Sequence, residues 1–294
     1  MAAAIRAEGL VKTFGRTRAL DGLDLEVDAG EVRGFLGPNG AGKSTTIRVL
    51  LGMLRARGTA VVLGRDAWRD AVAIHRDVAS VPGDVTLWPN LSGGETIDLL
   101  TALRGGADPQ LRRRLLDEFA LDPRVRARAY SKGNRQKVAL VAAFARRADL
   151  YVLDEPTSGL DPVMEEVFRA EVRRVRDEGA AVLLSSHVLD EVEQLCDRVT
   201  IVRAGRAVET GTLADLRRLT RTRFRAATDL APAGLADLPG VHDLTSDGAH
   251  LAFDVDGDAI PAVLARLATA RVTALTAEPP SLEELFLRQY GAAA

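Results

Sequence analysis

An α/β fold is what this sequence predicts: a parallel sheet flanked by helices, with an antiparallel β layer ahead of it and a small α+β appendage behind it. Three observations carry the prediction. Short strand-like runs at 32–36, 78–81, 150–153, 181–185 and 199–202 alternate with helical stretches, the order that builds a parallel sheet covered on both faces. The run at 32–36 passes directly into a glycine-rich turn and an amphipathic helix. Over residues 222–294 the character of the chain changes, with many Ala, Asp and Gly residues.

Taken in order, residues 5–36 read as strands. Leu23, Leu25 and Val27 alternate with Asp24, Glu26 and Asp28, the period of a half-buried strand. A strand is expected at 59–63, a helix at 68–76, and a strand over Val78–Val81 that Pro82 and Gly83 stop. From 84 to about 128 the pattern is helical, with Leu111, Leu115, Leu116 and Phe119 on one face, and reads as an inserted helical subdomain. A helix over 132–147 leads into the strand at 150–153. Next come a helix at 162–176, whose apolar face is read as Val163, Val167, Phe168, Val172 and Val175, a strand at 181–185, a helix ending near Cys196 and a strand at 199–202. The segment TLADLRRL then closes the large domain as a helix. The appendage is expected to hold strands at 223–227, 249–255 and 271–276 and helices at 260–270 and 282–290.

Composition narrows the functional class. The 294 residues are 47% apolar and 27% charged with a net charge of −2, so a full core is possible and no overall basic field favours nucleic acid. No stretch approaches the about 18 apolar residues that a membrane helix needs, and a soluble protein is expected. The single cysteine, Cys196, reads as a buried small hydrophobe and suits a reducing compartment.

The chemistry concentrates at strand ends. Phe35 to Thr46 reads FLGPNGAGKSTT, a complete GxxxxGK[ST] pattern. Gly37, Gly40 and Gly42 let backbone N–H groups turn inward with Asn39 and Ala41, and the helix that follows aims its positive end at the same concavity. Such a cradle suits phosphate, with Lys43 as a point charge on the outer phosphates, Ser44 as a Mg²⁺ ligand and Thr45 beside it. Only Lys12, Lys43, Lys132 and Lys137 are lysines among 39 basic residues, so a lysine in the turn is selective use of a compact ammonium. Asp154 and Glu155 end an apolar strand, where two adjacent acids need a cation. Asp154 is read as orienting the metal shell and Glu155 as polarising a water. His187 closes AVLLSSH and is read as a phosphate and water sensor; His75, His242 and His250 lack such a context.

The order GPNGAGKST, YSKGNRQKV, LYVLDEPTSGLDP and LLSSH resembles the ATP-binding cassette (ABC) ATPase family, over about residues 5–216. The resemblance implies a P-loop NTPase fold with an ABC nucleotide-binding domain at 1–216, its helical subdomain at about 84–146, and an α+β accessory domain at 217–294. It implies ATP hydrolysis with Mg²⁺, with Lys43, Glu155 and His187 catalytic. It also places Phe14 on the adenine ring and Ser131 and Gly133 in a signature segment that faces the nucleotide of a second copy. Ser158 to Asp161 would be the loop that crosses that head-to-tail dimer. LSGGE at 91–95 looks like a signature but lies too early, and Ser92 reads as a helix N-cap.

Two positions depart from the family pattern. Lys132 and Asn134 stand where a glycine and a glutamine are usual. Gly83 stands where a glutamine usually touches the metal, leaving Asp84, water or a weaker link in its place; Asp84 is the expected metal ligand. With no spanning segment, the chain is expected at the cytoplasmic face of a bacterial membrane on a separate permease, docked near Leu87, Trp88 and Pro89. VPGDVTLWPNLSGGE, YSKGNRQKV and the closing EPPSLEELFL resemble ATPases of bacterial multidrug and antibiotic exporters. An importer ATPase, or a soluble ABC protein acting on ribosomes or DNA, is the alternative.

Overall fold

The computed structural model describes residues 3–186, 188–218, 221–228, 234–248 and 250–278. The chain forms two compact units, one running to Thr210 and the other starting at Gly211.

In the first unit, β1 (Ala3–Phe14) and β2 (Thr17–Asp28) form a hairpin, followed by β3 (Val32–Leu36), α1 (Lys43–Leu50), β4 (Arg57–Val62), β5 (Arg65–Asp66), the single turn α2 (Ala71–Ile74) and β6 (Val78–Val81). Three helices come next: α3 (Gly93–Ala102), α4 (Pro109–Glu118) and α5 (Lys132–Phe144). The chain then alternates through β7 (Leu150–Asp154), α6 (Pro162–Asp177), β8 (Ala181–Ser186), α7 (Leu189–Leu195), β9 (Arg198–Arg203) and β10 (Arg206–Thr212). Among the described residues these strands form two sheets, β2-β1-β4-β5 and β10-β9-β3-β8-β7-β6.

The second of these sheets positions the site. Strands β9, β3, β8, β7 and β6 run parallel to one another. Every residue of β3, β7 and β8 is buried: Phe35, Leu150, Val152, Ala181 and Leu183 share a core with α1 and the antiparallel strands β1, β2 and β4, and helices α6 and α7 also pack on β8. In register, Phe35 pairs with Ser185 and Ser185 with Asp154, so three chains leave the sheet side by side at its carboxyl edge. That is where parallel α/β sheets place ligands.

Three expectations change. The helix expected at 68–76 shrinks to α2, because the Asp66 carboxylate accepts the backbone N–H groups of Trp68 and Arg69 and holds those residues in a turn. On α6, Met164, Phe168, Val172 and Val175 are buried while Val163 is exposed; it lies about 100° round the helix from Met164. Strand β10, half-exposed along its length, has no counterpart in the sequence reading. Ser92 caps α3 in a full capping box with Glu95, so LSGGE is a helix start. Cys196 is buried, and burial pushes its thiol up in pKa.

In the second unit α8 (Leu213–Arg218) precedes β11 (Thr222–Thr228), β12 (Val241–Ser246), β13 (His250–Val255), α9 (Ile260–Leu267) and β14 (Val272–Glu278). The strands form an antiparallel sheet in the order β12-β13-β11-β14. Phe224 and Phe253 stack at 5.5 Å and pack with Val263 and Leu267 of α9. Strand β12 adds to the three expected. The helix expected at 282–290 and the stretch SLEELFL lie outside the described residues.

Candidate active site at the carboxyl edge of the sheet

The turn after β3 is shaped by what its glycines leave out. A Cβ on Gly37 would sit 2.6 Å from the Val202 carbonyl oxygen, and one on Gly42 2.8 Å from that of Ala19. Gly42 also has φ +111° as the N-cap of α1, a conformation that L side chains avoid. The turn is thereby pressed against β2 and β9, and the first N–H groups of α1 open toward the space beyond the sheet.

Lys43 folds back over this turn. Its ammonium donates to the carbonyls of Gly37 (2.5 Å) and Pro38 (3.4 Å) and lies 3.7 Å from Oε1 of Glu155. Ser44 and Asn39 are exposed, Ala41 is buried, and Thr45 is half-buried at the start of α1. Asp154, buried at the end of β7, accepts a hydrogen bond from the Ser185 hydroxyl. Glu155 follows in a left-handed conformation with φ +48°. Its N–H donates to the Ser185 carbonyl at 2.9 Å, which fixes that conformation. A non-glycine residue there costs about 1–2 kcal/mol, a strain typical of functional positions.

Gly83 and Asp84 leave β6 at the same edge. A Cβ on Gly83 would meet the Asp154 carboxylate at 3.4 Å, an ordinary contact, while Asp84 is exposed. Among the described residues no three His, Cys, Asp or Glu side chains form a metal cluster. The donor set of one hydroxyl (Ser44) and one buried carboxylate (Asp154) fits Mg²⁺, which takes few protein ligands and completes its shell with phosphate and water. His187 lies outside the described residues.

Phe14 ends β1 with 48% of its surface exposed. The Lys12 ammonium sits 5.2 Å from its ring centroid and donates to the Arg55 carbonyl at 2.8 Å, so one ring face carries a cation. Lys12 pairs in register with Leu20, and Leu20 packs against Gly42; the aromatic thus stands one strand away from the turn.

Ser131 is the N-cap of α5, accepting from the Asn134 N–H at 3.2 Å. Gly133 approaches the Gly159 carbonyl so closely that a Cβ would collide with it. Asp161 caps α6, accepting from the N–H groups of Val163 and Met164.

Glu191 of α7 is a residue that sequence reasoning missed. It is 4% exposed, with its carboxylate buried. Burial pushes its pKa up to about 7; nearby Glu155 and Glu165 add to the rise, and the hydroxyls of Ser186 and Thr157 oppose it. The group is protonated in both states well below its ordinary 4.5. Between 4.5 and about 7 the unfolded chain releases the proton and the folded protein keeps it, so stability falls as pH rises, by about 3 kcal/mol in all. Glu191→Gln is therefore expected to remove most of the loss between pH 5 and pH 8, read from urea midpoints. An unchanged pH slope would place a solvated carboxylate there.

Comparison with known proteins agrees with this geometry. The sequence model of the ABC transporter family matches residues 20–158, and that of the ATP-binding protein DrrA1-3-like, C-terminal domain, matches residues 211–290. The chain is 41% identical over 220 residues to the daunorubicin/doxorubicin resistance ATP-binding protein DrrA of Streptomyces peucetius, covering 73% of this chain and 67% of that one. It is 35% identical over 304 residues to the daunorubicin resistance ATP-binding protein DrrA3 of Streptomyces coeruleorubidus, covering 98% and 96%. A solved ATP-binding subunit of an ABC transporter superposes with a TM-score of 0.69 at 32% identity, covering 74% of this chain and 92% of that one. A phosphate-shaped turn, a paired acid and a capped second helix on one parallel sheet, together with these likenesses, make the chain a member of the ABC transporter family of ATP-binding proteins, an ATPase with a DrrA-type C-terminal domain.

Proposed function

We propose that this ATPase powers the export of a drug or antibiotic through a separate membrane permease. The observation that carries the reading is end-to-end likeness to DrrA3, C-terminal domain included. No helix among the described residues is long and apolar enough to cross a membrane, which supports a peripheral place on the cytoplasmic face beneath such a partner.

In this reading the triphosphate lies along Gly37, Asn39, Gly40, Ala41, Gly42, Lys43, Ser44 and Thr45, with adenine against the open face of Phe14. Ser44, Asp154 through the metal's shell, and Asp84 would hold Mg²⁺, which when bound would supply positive charge to the phosphates. Glu155 takes a proton from the attacking water as the new oxygen–phosphorus bond forms; the bond to the bridging oxygen breaks, ADP leaves, and the proton passes from Glu155 to solvent. Lys43, 3.7 Å from Glu155, holds opposite charge near both the base and the outer phosphate. His187 would orient the γ-phosphate and water. Ser131, Gly133 and Asp161 of a second copy would close the pocket, so two subunits sandwich two nucleotides and separate after hydrolysis.

A groove of about 590 Å³ beside the helical insertion supports docking of the permease. Met53, Val72, Leu87, Trp88 and Leu103 line it, with Trp88 50% and Leu103 73% exposed. Exposed large apolar groups gathered at one groove mark an interface. Trp88→Ala is expected to lower retention on membranes that carry the permease by about tenfold, with the ATPase rate of the isolated subunit unchanged. Equal retention of the variant would move the docking surface elsewhere. Transport itself is tested by co-expression with the permease: reduced cellular accumulation of an anthracycline supports export, and increased accumulation reverses the direction.

A further inference from the structure

The two segments that the sandwich would present to a partner's nucleotide are fastened to one another within a single subunit. They are the first turns of α5 and the loop 156–160 after β7. The Lys132 ammonium donates to the Ser158 hydroxyl at 2.7 Å. One turn further along α5, Gln136 is 1% exposed and its side-chain amide donates to the Pro156 carbonyl at 2.7 Å. Lys132 and Gln136 are four residues apart and share a helix face. Between these two ties, Gly133 and Gly159 are in backbone contact, and a Cβ on Gly159 would touch the Lys132 methylenes at 3.5 Å.

Lysine is an odd choice at this place. It is the first residue of α5, where the helix dipole disfavours a cation, and this chain otherwise relies on arginine. The loop it holds includes Gly159 at φ +85°, a residue with wide conformational freedom when untethered. Ordering such a loop during association opposes binding, and holding it beforehand removes part of that opposition.

We propose that Lys132 is a positioning residue that latches Ser158 and its loop to the start of α5, so that both segments meet the partner's nucleotide as one preformed surface. The latch rests on the sandwich reading above. Gln136 anchors the near end of the loop in the core; Lys132 sets its tip.

The test uses the full chain carrying Glu155→Gln, so that ATP is held and not hydrolysed. Sedimentation equilibrium with ATP and Mg²⁺ gives the dimer dissociation constant of this parent and of Lys132→Met, Ser158→Ala and the double variant. A fluorescent ATP analogue at high dilution gives nucleotide affinity of the monomer and shows that each variant is folded. Each single change is expected to weaken dimerisation by about tenfold, the double change no more than either single one, and monomer affinity is expected to hold within about twofold. Methionine keeps the stem of Lys132 against Gly159, so the loss reports on the ammonium. If Lys132→Met weakens the dimer while Ser158→Ala does nothing, the ammonium acts on phosphate and the latch is overturned. Additive losses, or tighter dimers, overturn it as well. A parent that stays monomeric with ATP removes the sandwich, and the latch with it.

Discussion

Glu155→Gln is expected to cut ATP turnover by about a hundredfold or more while leaving ATP bound. The substitution keeps the size of the side chain, and the backbone at φ +48° is held by the N–H bond to the Ser185 carbonyl, which glutamine retains. What disappears is the carboxylate that accepts the water's proton. Removing a negative charge close to Lys43 also lowers repulsion of an incoming γ-phosphate, so affinity for ATP should rise. The variant should then accumulate as a dimer on size exclusion with ATP and Mg²⁺ and return to monomer with ADP. Undiminished turnover would dismiss Glu155 as the base. A monomer in the presence of ATP would dismiss the sandwich while leaving the phosphate cradle intact.

Much of the site is legible in the sequence because its geometry tolerates few residues. Gly37 and Gly42 stand where any Cβ would strike a carbonyl, so their spacing ahead of Lys43 is a steric requirement that the letters carry. The runs ending at Leu36, Asp154 and Ser186 are mostly apolar and are buried throughout, as central strands are, and the register then sets Phe35, Ser185 and Asp154 side by side. Half-exposed strands leave a weaker trace. Strand β10 and strand β12 are mixed in polarity along their length, and pattern alone does not separate such a strand from a loop.

Contacts between distant residues are less legible still. Helical spacing from Val188 to Leu195 brings Glu191 onto the apolar face, but a glutamate there reads as solvent-facing; it is buried, while Glu193 is half-buried. Lys132 stood out only as a departure from a family pattern; its hold on Ser158, 26 positions away, depends on how α5 packs beside β7. The turn at Asp66 is a similar case. Its carboxylate takes two N–H groups that a helix would have used, a local competition that apolar periodicity does not register.

Lys43→Ala is expected to lower turnover by about a hundredfold to a thousandfold and to raise the ATP concentration needed for half-maximal rate. The ammonium is nearly buried and donates to the Gly37 carbonyl, itself within the turn. Truncation therefore acts twice. It takes the point charge from the outer phosphates, and it leaves a buried carbonyl without its donor, which costs about 1–3 kcal/mol of stability. The second effect is separable: the thermal midpoint of the free protein should fall, and added ATP should restore less of it than in the wild type. Lys43→Arg should rescue the midpoint better than the rate. A guanidinium can still donate to Gly37, but its planar, larger head cannot occupy the space of a compact ammonium between two carbonyls and Glu155. ATPase activity at the wild-type level in Lys43→Ala would remove the turn after β3 from the reaction altogether.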